Sequence, residues 1–274
     1  TPTPRLLRRQ RQMCIRDRPG SKRFVVVARG LPGILELDVK GNRKGLTLEL
    51  QRIGDTPKLR AGSFDRSGRY LLAATEQQGI AVFDLKEQKP VGMVDLGTWW
   101  GGSSGSAFVD PEYGPVWAVS SLSEPKVAVI GTDPKRHPQA AWKVVRTFDL
   151  PSGGPIYTAT HPQSSHLWTD LTLSGKPNIA STVVAIDRRE LIGKRNTLRL
   201  SEALPERFAQ VTAIHPQFDS AGSRVWFTLW NRQDLPSGIA IVNDASMTVE
   251  TVITDPRLIT PIRTFNASEL AKGR

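Results

Sequence analysis

The stretch GSFDRSGRYLLAATEQQGIAVFDLKEQKPVGMVDL (62–96) contains four short runs of strand-forming residues with polar turns between them. The runs are GSFD, YLLAAT, IAVFD and KPVGMVDL. β-Branched and aromatic runs of this length, bounded by turn-forming residues, predict β-strands. This stretch therefore predicts four consecutive strands that form one structural unit.

The same order of runs recurs along the chain. The second run begins at positions 24, 70, 116, 167 and 225, so the spacings are 46, 46, 51 and 58 residues. The third run follows each time as ILELD (34–38), IAVFD (80–84), VAVIG (127–131), VVAID (183–187) and IAIVN (239–243). A two-sheet sandwich does not repeat one internal order at such spacing. The repeat predicts an all-β protein, a β-propeller of four-stranded blades.

The repeat accounts for about five blades, and the first one begins directly at its second run, at Phe24. We therefore interpret residues 21–274 as part of a larger ring. Residues 1–18 differ, because they carry six Arg and one Asp and hold Cys14, the single cysteine. We expect residues 1–20 to be a non-native or disordered leader.

Composition excludes several classes of protein and of site. The chain has 37 Lys+Arg against 26 Asp+Glu and is 39% hydrophobic, which is enough for a buried core. A single cysteine excludes an internal disulfide framework, a Cys-based zinc site and c-type haem attachment within the chain. No apolar run approaches the ~20 residues of a membrane span. The motifs of serine hydrolases, P-loop proteins and zinc proteases are absent as well, and we expect no metal site and no nucleic-acid partner.

Two histidines are candidates for chemistry. His161 and His215 share, with Asp65 and Asp110, the position that follows the first run of a repeat. One interpretation is that each side chain caps a tight turn. The other is that the two imidazoles take part in proton transfer or iron ligation. By contrast, we expect His166, in a polar turn, to be solvated.

A second group of candidates precedes the first runs. The segments are KLR (58–60), WWGGSS (99–104), GGPIY (153–157) and ERF (206–208). In a propeller such segments gather on one face around the central channel. Aromatic rings there would stack on a flat ligand, and guanidinium groups would hold its carboxylates. The binding candidates are Arg60, Trp99, Trp100, Tyr157 and Arg207; alternatively, Trp99 and Trp100 pack between blades.

Several longer strings resemble the haem d1 propeller of the cytochrome cd1 nitrite reductase family, which includes the dihydro-haem d1 dehydrogenases. They are FVDPEYGPVWAVSS (108–121), VAVIGTDPKRHPQAAWKVV (127–145), THPQSSHLWTD (160–170) and SRVWFTLWN (223–231). The resemblance implies an eight-bladed ring, of which this chain supplies about the C-terminal five-eighths. It further implies a haem d1 tetrapyrrole, or its dihydro precursor, as ligand and a periplasmic location. A c-type haem would come only from a domain outside this chain.

The chain departs from the nitrite reductase pattern at two places. The resemblance aligns the two distal histidines of those enzymes with KLRAGS (58–63) and WWGGSSG (99–105), which place Arg60 near the first and Trp100 or Gly101 near the second. An arginine does not supply a proton near neutral pH. We therefore expect that this chain is not a nitrite reductase.

The resemblance then favours a dihydro-haem d1 dehydrogenase, which oxidises a propionate side chain of the tetrapyrrole to an acrylate. Arg60 and Arg207 would clamp carboxylates, and His161 or His215 would be the base. One alternative is a non-catalytic carrier that delivers haem d1 to cytochrome cd1 nitrite reductase. Another is a propeller that serves only as a protein-interaction surface.

Overall fold

The computed structural model describes residues 13–17, 23–28, 32–42, 45–77, 79–97, 105–190, 195–205, 210–231 and 237–258. This part of the chain is almost entirely β-sheet. It includes a four-residue helix, α1 (Pro177–Ala180), and a 3-10 turn at Leu200–Ala203.

The described strands form four sheets, and within each sheet every strand pairs antiparallel with its neighbours in sequence. One sheet contains β1 (Met13–Asp17), β2 (Arg23–Ala28), β3 (Pro32–Asn42), β4 (Gly45–Phe64), β5 (Tyr70–Thr75), β6 (Gly79–Asp84) and β7 (Lys89–Asp95). The next sheet contains β8 (Ser106–Asp110), β9 (Gly114–Ser120), β10 (Lys126–Gly131) and β11 (Val144–Asp149). A third contains β12 (Thr158–Thr160), β13 (His166–Asp170), β14 (Thr182–Asp187) and β15 (Arg195–Arg199). The last contains β16 (Thr212–Phe218), β17 (Arg224–Trp230), β18 (Gly238–Asn243) and β19 (Val249–Thr254).

The seven-stranded sheet is two blades that share strand β4. Residues 45–53 of β4 pair with β3, and residues 59–64 pair with β5. The described chain therefore forms five four-stranded units, in the order that the repeat predicts. The prediction of an all-β propeller built of four-stranded blades is confirmed.

The first blade differs from expectation. Met13–Asp17 pairs antiparallel with β2, and Cys14 lies opposite Val27. The expectation that no inner strand precedes Phe24 is therefore wrong, because β1 takes that place. Residues 13–17 have regular structure, and the foreign origin of residues 1–20 stays a prediction.

The core consists of apolar clusters between consecutive blades rather than of one central layer. In β5, Leu71 and Ala73 pack toward the first blade, whereas Leu72 and Ala74 pack toward the third. Similar clusters join the third blade to the fourth and the fourth to the fifth. All six residues of β5 are buried, as are all six of β6. Burial on both faces explains why the second and third runs of each repeat are continuously apolar instead of alternating.

Hydroxyl groups connect the inner strands of neighbouring blades. The Ser63 hydroxyl donates to the Gly105 carbonyl at 2.7 Å, and the Ser106 hydroxyl donates to the Thr158 carbonyl at 2.7 Å. The indole N–H of Trp117 in turn donates to Ser63 Oγ at 2.8 Å. Inner strands of different blades share no backbone ladder, so these side chains satisfy backbone and indole groups at the inner edges.

Removal of the Ser63 hydroxyl should loosen the contact between the second and third blades. Ser63→Ala leaves the fully buried Trp117 without the acceptor for its indole N–H. We expect the free energy of unfolding to fall by about 1–3 kcal/mol, measured by urea denaturation. The matched control is Ser246→Ala, which removes an exposed hydroxyl bonded to Thr248 and should change stability by less than about 0.5 kcal/mol. Equal effects of the two substitutions would contradict this account.

Candidate functional site

The candidate site lies at the edge where the inner strands begin, which we call the starting edge. Segments 58–60, 105–106, 156–158 and 211–213 reach it, and so do the turns that follow the second strands. Arg60, Tyr157 and His215 lie among the described residues near this edge. Trp99, Trp100 and Arg207 lie outside the described residues, so their binding roles stay predictions.

The opposite edge, where the inner strands end, is built of capped turns. Asp65 accepts the backbone N–H groups of Ser67 and Tyr70 at 2.9 and 2.8 Å. His161 occupies the same corner in the fourth blade, and its Nδ1 accepts the N–H of Gln163 at 3.2 Å. The geometry of His161 therefore matches the turn-cap interpretation. We call this side the corner edge.

His215 does not belong to that corner, and its assignment to the same position as Asp65 is wrong. In the fifth blade Asp219 holds the corner, since it accepts the N–H groups of Ser223 and Arg224 at 2.9 and 3.2 Å. His215 lies inside strand β16, four residues earlier. The repeat misplaced it because the strand register shifts between Ile214 and Gln217, so that residues 215–216 form a β-bulge.

The backbone of His215 is strained. Its φ is +59°, and among the described non-glycine residues with positive φ it alone lies within an inner strand. Pro216 follows it, and a residue before proline favours extended conformations. Such backbone strain costs on the order of 1–3 kcal/mol and tends to occur at functional sites. Bulges also redirect side chains next to active sites.

The side chain of His215 packs on a ring from the neighbouring blade. The ring centroids of Tyr157 and His215 are 3.7 Å apart, with an angle of 35° between the planes. His215 is buried and Tyr157 is partly exposed. The structure thus brings together two of the residues that the sequence singled out, on the inner strands of the fourth and fifth blades.

Hydrogen bonds from the third and the fourth blade fix the segment that carries Tyr157. The Ser120 hydroxyl of the third blade donates to the Ile156 carbonyl at 2.8 Å, and the Thr169 hydroxyl donates to the Tyr157 carbonyl at 3.0 Å. Gly154 has a φ of +89°, and a Cβ there would lie 2.4 Å from the carbonyl carbon of Leu173. This close approach requires glycine and fixes the segment against the turn after β13.

Asp170, at the end of β13, links the segment before β12 to strand β16. The sequence interpretation does not single this residue out. Its Oδ1 accepts the N–H of Ile156 at 2.7 Å and that of Tyr157 at 3.4 Å. Its Oδ2 accepts the N–H of His215 at 3.3 Å. The carboxyl group is fully buried, and burial raises its pKa to about 7, against the opposing effect of these N–H groups and of the Thr172 hydroxyl.

The repeat contains a signal for Asp170. Sheet register aligns it with Ala74, Ser120 and Thr228, since each lies opposite the second residue of the next strand. A carboxyl group occurs at this position only in the fourth blade among these four. A position that differs between blades is the kind that function, rather than architecture, is expected to use.

Arg60 also lies at an irregularity of its strand. The register of β4 shifts between Leu59 and Gly62, so Arg60 and Ala61 are bulge residues. Arg60 is partly buried, including its Nε atom. Because it belongs to the second blade, it approaches the starting edge two blades away from Tyr157.

The expectation that His166 is solvated is wrong. His166 is 7% exposed, and its Nδ1 lies 3.2 Å from an oxygen of Asp244 in the fifth blade. The same oxygen accepts the Trp168 indole N–H at 2.7 Å, and the other oxygen accepts the Ser164 hydroxyl at 2.8 Å. These bonds hold the pKa of Asp244 below its ordinary value despite burial. The network joins two blades at the corner edge, away from Tyr157.

Among the described residues, no group of three or more His, Cys, Asp or Glu side chains has an arrangement that would hold a metal ion. Within the same ranges, no helix has the length and apolarity needed to cross a membrane.

Comparison with known proteins links this architecture to a family. A family model described as Cytochrome D1 heme domain matches residues 3–270. A nitrite reductase of Stutzerimonas stutzeri is 31% identical over 233 residues, which make up 82% of this chain and 41% of that protein. The chain thus spans less than half the length of this relative.

Two solved structures are similar in fold. Dihydro-heme d1 dehydrogenase NirN in complex with DHE has a TM-score of 0.70 at 21% identity, covering 93% of this chain and 49% of that one. Hydrazine synthase of Kuenenia stuttgartiensis has a TM-score of 0.64 at 14% identity, covering 88% of this chain and 65% of that one. At these identities the likeness concerns the fold alone.

The buried carboxyl group of Asp170 should make stability depend on pH. Its folded-state pKa of about 7 lies above the ordinary 3.8. The contribution of Asp170 to the free energy of unfolding is therefore complete below pH 3.8 and is lost as pH rises through 7. Asp170→Asn removes this titration. The difference in unfolding free energy, wild type minus variant, should therefore fall between pH 4 and 8, by up to about 4 kcal/mol.

Urea denaturation at several pH values measures this difference. Asp187→Asn is the control, because Arg189 lowers the pKa of Asp187 to about 2. The contribution of Asp187 to the free energy of unfolding is present above pH 3.8 and is lost as pH falls toward 2. The difference in unfolding free energy between wild type and Asp187→Asn should therefore stay constant between pH 5 and 8. A constant difference for Asp170→Asn as well would contradict the prediction.

Proposed function

The chain belongs to the cytochrome D1 heme domain family, and on that premise we propose that it binds a haem d1-type tetrapyrrole at the starting edge. We further propose that it acts as a dihydro-haem d1 dehydrogenase, in which the tetrapyrrole is the substrate. The observation that carries the proposal is the Tyr157–His215 ring pair, which brings an aromatic face and an imidazole together where two inner strands begin.

The described residues suit a flat ligand with carboxylate groups. The partly exposed Tyr157 offers a ring for stacking, and its segment is fixed by Ser120, Thr169 and Asp170. Arg60 offers a guanidinium that pairs with a carboxylate in a planar, bidentate geometry. A site already held in place loses little entropy when the ligand binds.

His215 is the better of the two candidate bases. The sequence contains four histidines, all within the described ranges, and His137, His161 and His166 lie toward the corner edge. Tyr157 and His161 are separated by the length of strand β12, roughly 13 Å at 3.3 Å per residue. His215 alone has its ring against Tyr157. A neutral imidazole within reach of a C–H group accepts a proton as general base.

The dehydrogenation converts a –CH2–CH2– unit of a propionate into –CH=CH–. Two C–H bonds break and a C=C bond forms, so two protons and two electrons leave the substrate. His215 accepts one proton, and the other passes to water. The electrons pass one at a time to an acceptor such as a c-type haem, which this chain does not attach because it holds a single cysteine. We propose a periplasmic location on the same family grounds.

Replacement of the two histidines should separate their roles. In a turnover assay with dihydro-haem d1 and a one-electron acceptor, His215→Ala should lower the rate of acrylate formation by about 10²–10⁴-fold. Binding of the tetrapyrrole, followed by its absorption spectrum, should weaken by a smaller factor, because Tyr157 still offers its ring for stacking. His161→Ala, the matched control at the corner edge, should retain the wild-type rate within about twofold if the protein remains folded.

The outcome distinguishes the functions under consideration. Loss of turnover in His161→Ala but not in His215→Ala would overturn the assignment of the base. Tight binding of the tetrapyrrole by the wild-type protein without any turnover would indicate a carrier. Absence of any spectral change on addition of the tetrapyrrole would exclude both the dehydrogenase and the carrier.

A further inference from the structure

We propose that Asp170 is the positioning residue of this site: its carboxyl group fixes the backbone of Tyr157 and of His215, and thereby sets the ring pair against which the tetrapyrrole binds. The inference rests on the proposed function for its ligand. The arrangement of strand β16 and of the segment before β12 around Asp170 does not depend on that proposed function.

The geometry singles out Asp170 because one side chain contacts two blades. The Oδ1 atom accepts N–H groups from the segment before β12, and the Oδ2 atom accepts the N–H of His215 in β16. A carboxylate has lone pairs for several donors, whereas an amide side chain at this place would turn one N–H group toward another. The residue type, and not only its size, is therefore specified.

The contact with His215 stabilises a backbone conformation that is otherwise unfavourable. The φ of +59° before Pro216 persists in a structure only when the surroundings compensate for its cost. The N–H of His215 donates to a fully buried acceptor, and a hydrogen bond to a charged group is stronger than one to a neutral group. Asp170 thus contributes to holding the bulge that places the imidazole beside Tyr157.

Thr172 supplies an acceptor for the protonated form of Asp170. Its hydroxyl contacts Asp170 and donates to the Ala213 carbonyl at 2.9 Å. When Asp170 carries a proton, that proton has Thr172 Oγ as an acceptor, because a hydroxyl has two lone pairs. Tyr157 and His215 are the titratable residues whose backbone N–H groups Asp170 accepts. The hydrogen bonds to their backbone strengthen as Asp170 ionises, which links ligand binding to pH.

The first test needs no ligand. In 15N-labelled wild-type protein, the amide resonances of Ile156, Tyr157 and His215 should shift together with pH, with one midpoint near 7. His215→Gln removes the only imidazole of the site and should preserve the shift of the Ile156 amide. Asp170→Asn should abolish it. Persistence of the shift in Asp170→Asn would overturn the proposal.

The second test measures binding of isolated haem d1 by absorption titration. Asp170→Asn should weaken binding at least tenfold and flatten its pH dependence, and Thr172→Val should move the pH midpoint. Asp84→Asn is the control, since Asp84 is a buried acid that accepts backbone N–H groups of Lys86 and Glu87 at the corner edge. It should bind within twofold of wild type.

These outcomes separate the inference from the proposed function. Wild-type affinity and an unchanged pH profile in a folded Asp170→Asn variant would overturn the positioning role. If wild-type protein binds no haem d1, the proposed function fails, and the amide resonances still decide whether Asp170 positions Tyr157 and His215.

Discussion

The whole structure depends on how the inner edges of neighbouring blades are satisfied. A blade pairs its strands only within itself, so its inner strand presents backbone groups that the next blade does not meet with a ladder. Hydroxyl groups solve this at successive interfaces: Ser63 meets Gly105, Ser106 meets Thr158 and Thr172 meets Ala213. These bonds are short and directional, whereas the apolar clusters between blades are not. They therefore set the spacing of the inner strands, and with it the geometry of the starting edge.

The two edges of the blades have separate tasks. At the corner edge, Asp65, Asp110, Asp219 and His161 all accept backbone N–H groups and close turns. At the starting edge, the strands carry bulges, a strained residue and a buried acid. The same inner strand can serve both tasks because its two ends are far apart. An irregularity near one end does not disturb the cap at the other.

Much of this was predictable from the sequence, and the failures have identifiable causes. Strands buried on both faces read as continuous apolar runs, so their order and the blade repeat were evident. His215 was assigned to the corner because a two-residue bulge alters the count along β16, and a His-Pro pair resembles the true corner at His161. The sequence places His166 in a polar turn and does not reveal its burial, because its partner, Asp244, lies a full blade later. Asp170 differs from its equivalents in other blades, yet only the fold reveals that two blades meet at its side chain.

Strand β4 has a consequence for how this chain can evolve. Between the later blades the chain leaves one sheet before it joins the next, so a blade can be duplicated or lost as a module. The first two blades lack such a joint, because one continuous strand, Gly45–Phe64, pairs with β3 at one end and with β5 at the other. Recombination within β4 would break a ladder on each side of the crossover. Removal of either of these two blades would therefore cut a continuous strand, whereas the boundaries between the later blades fall between separate sheets.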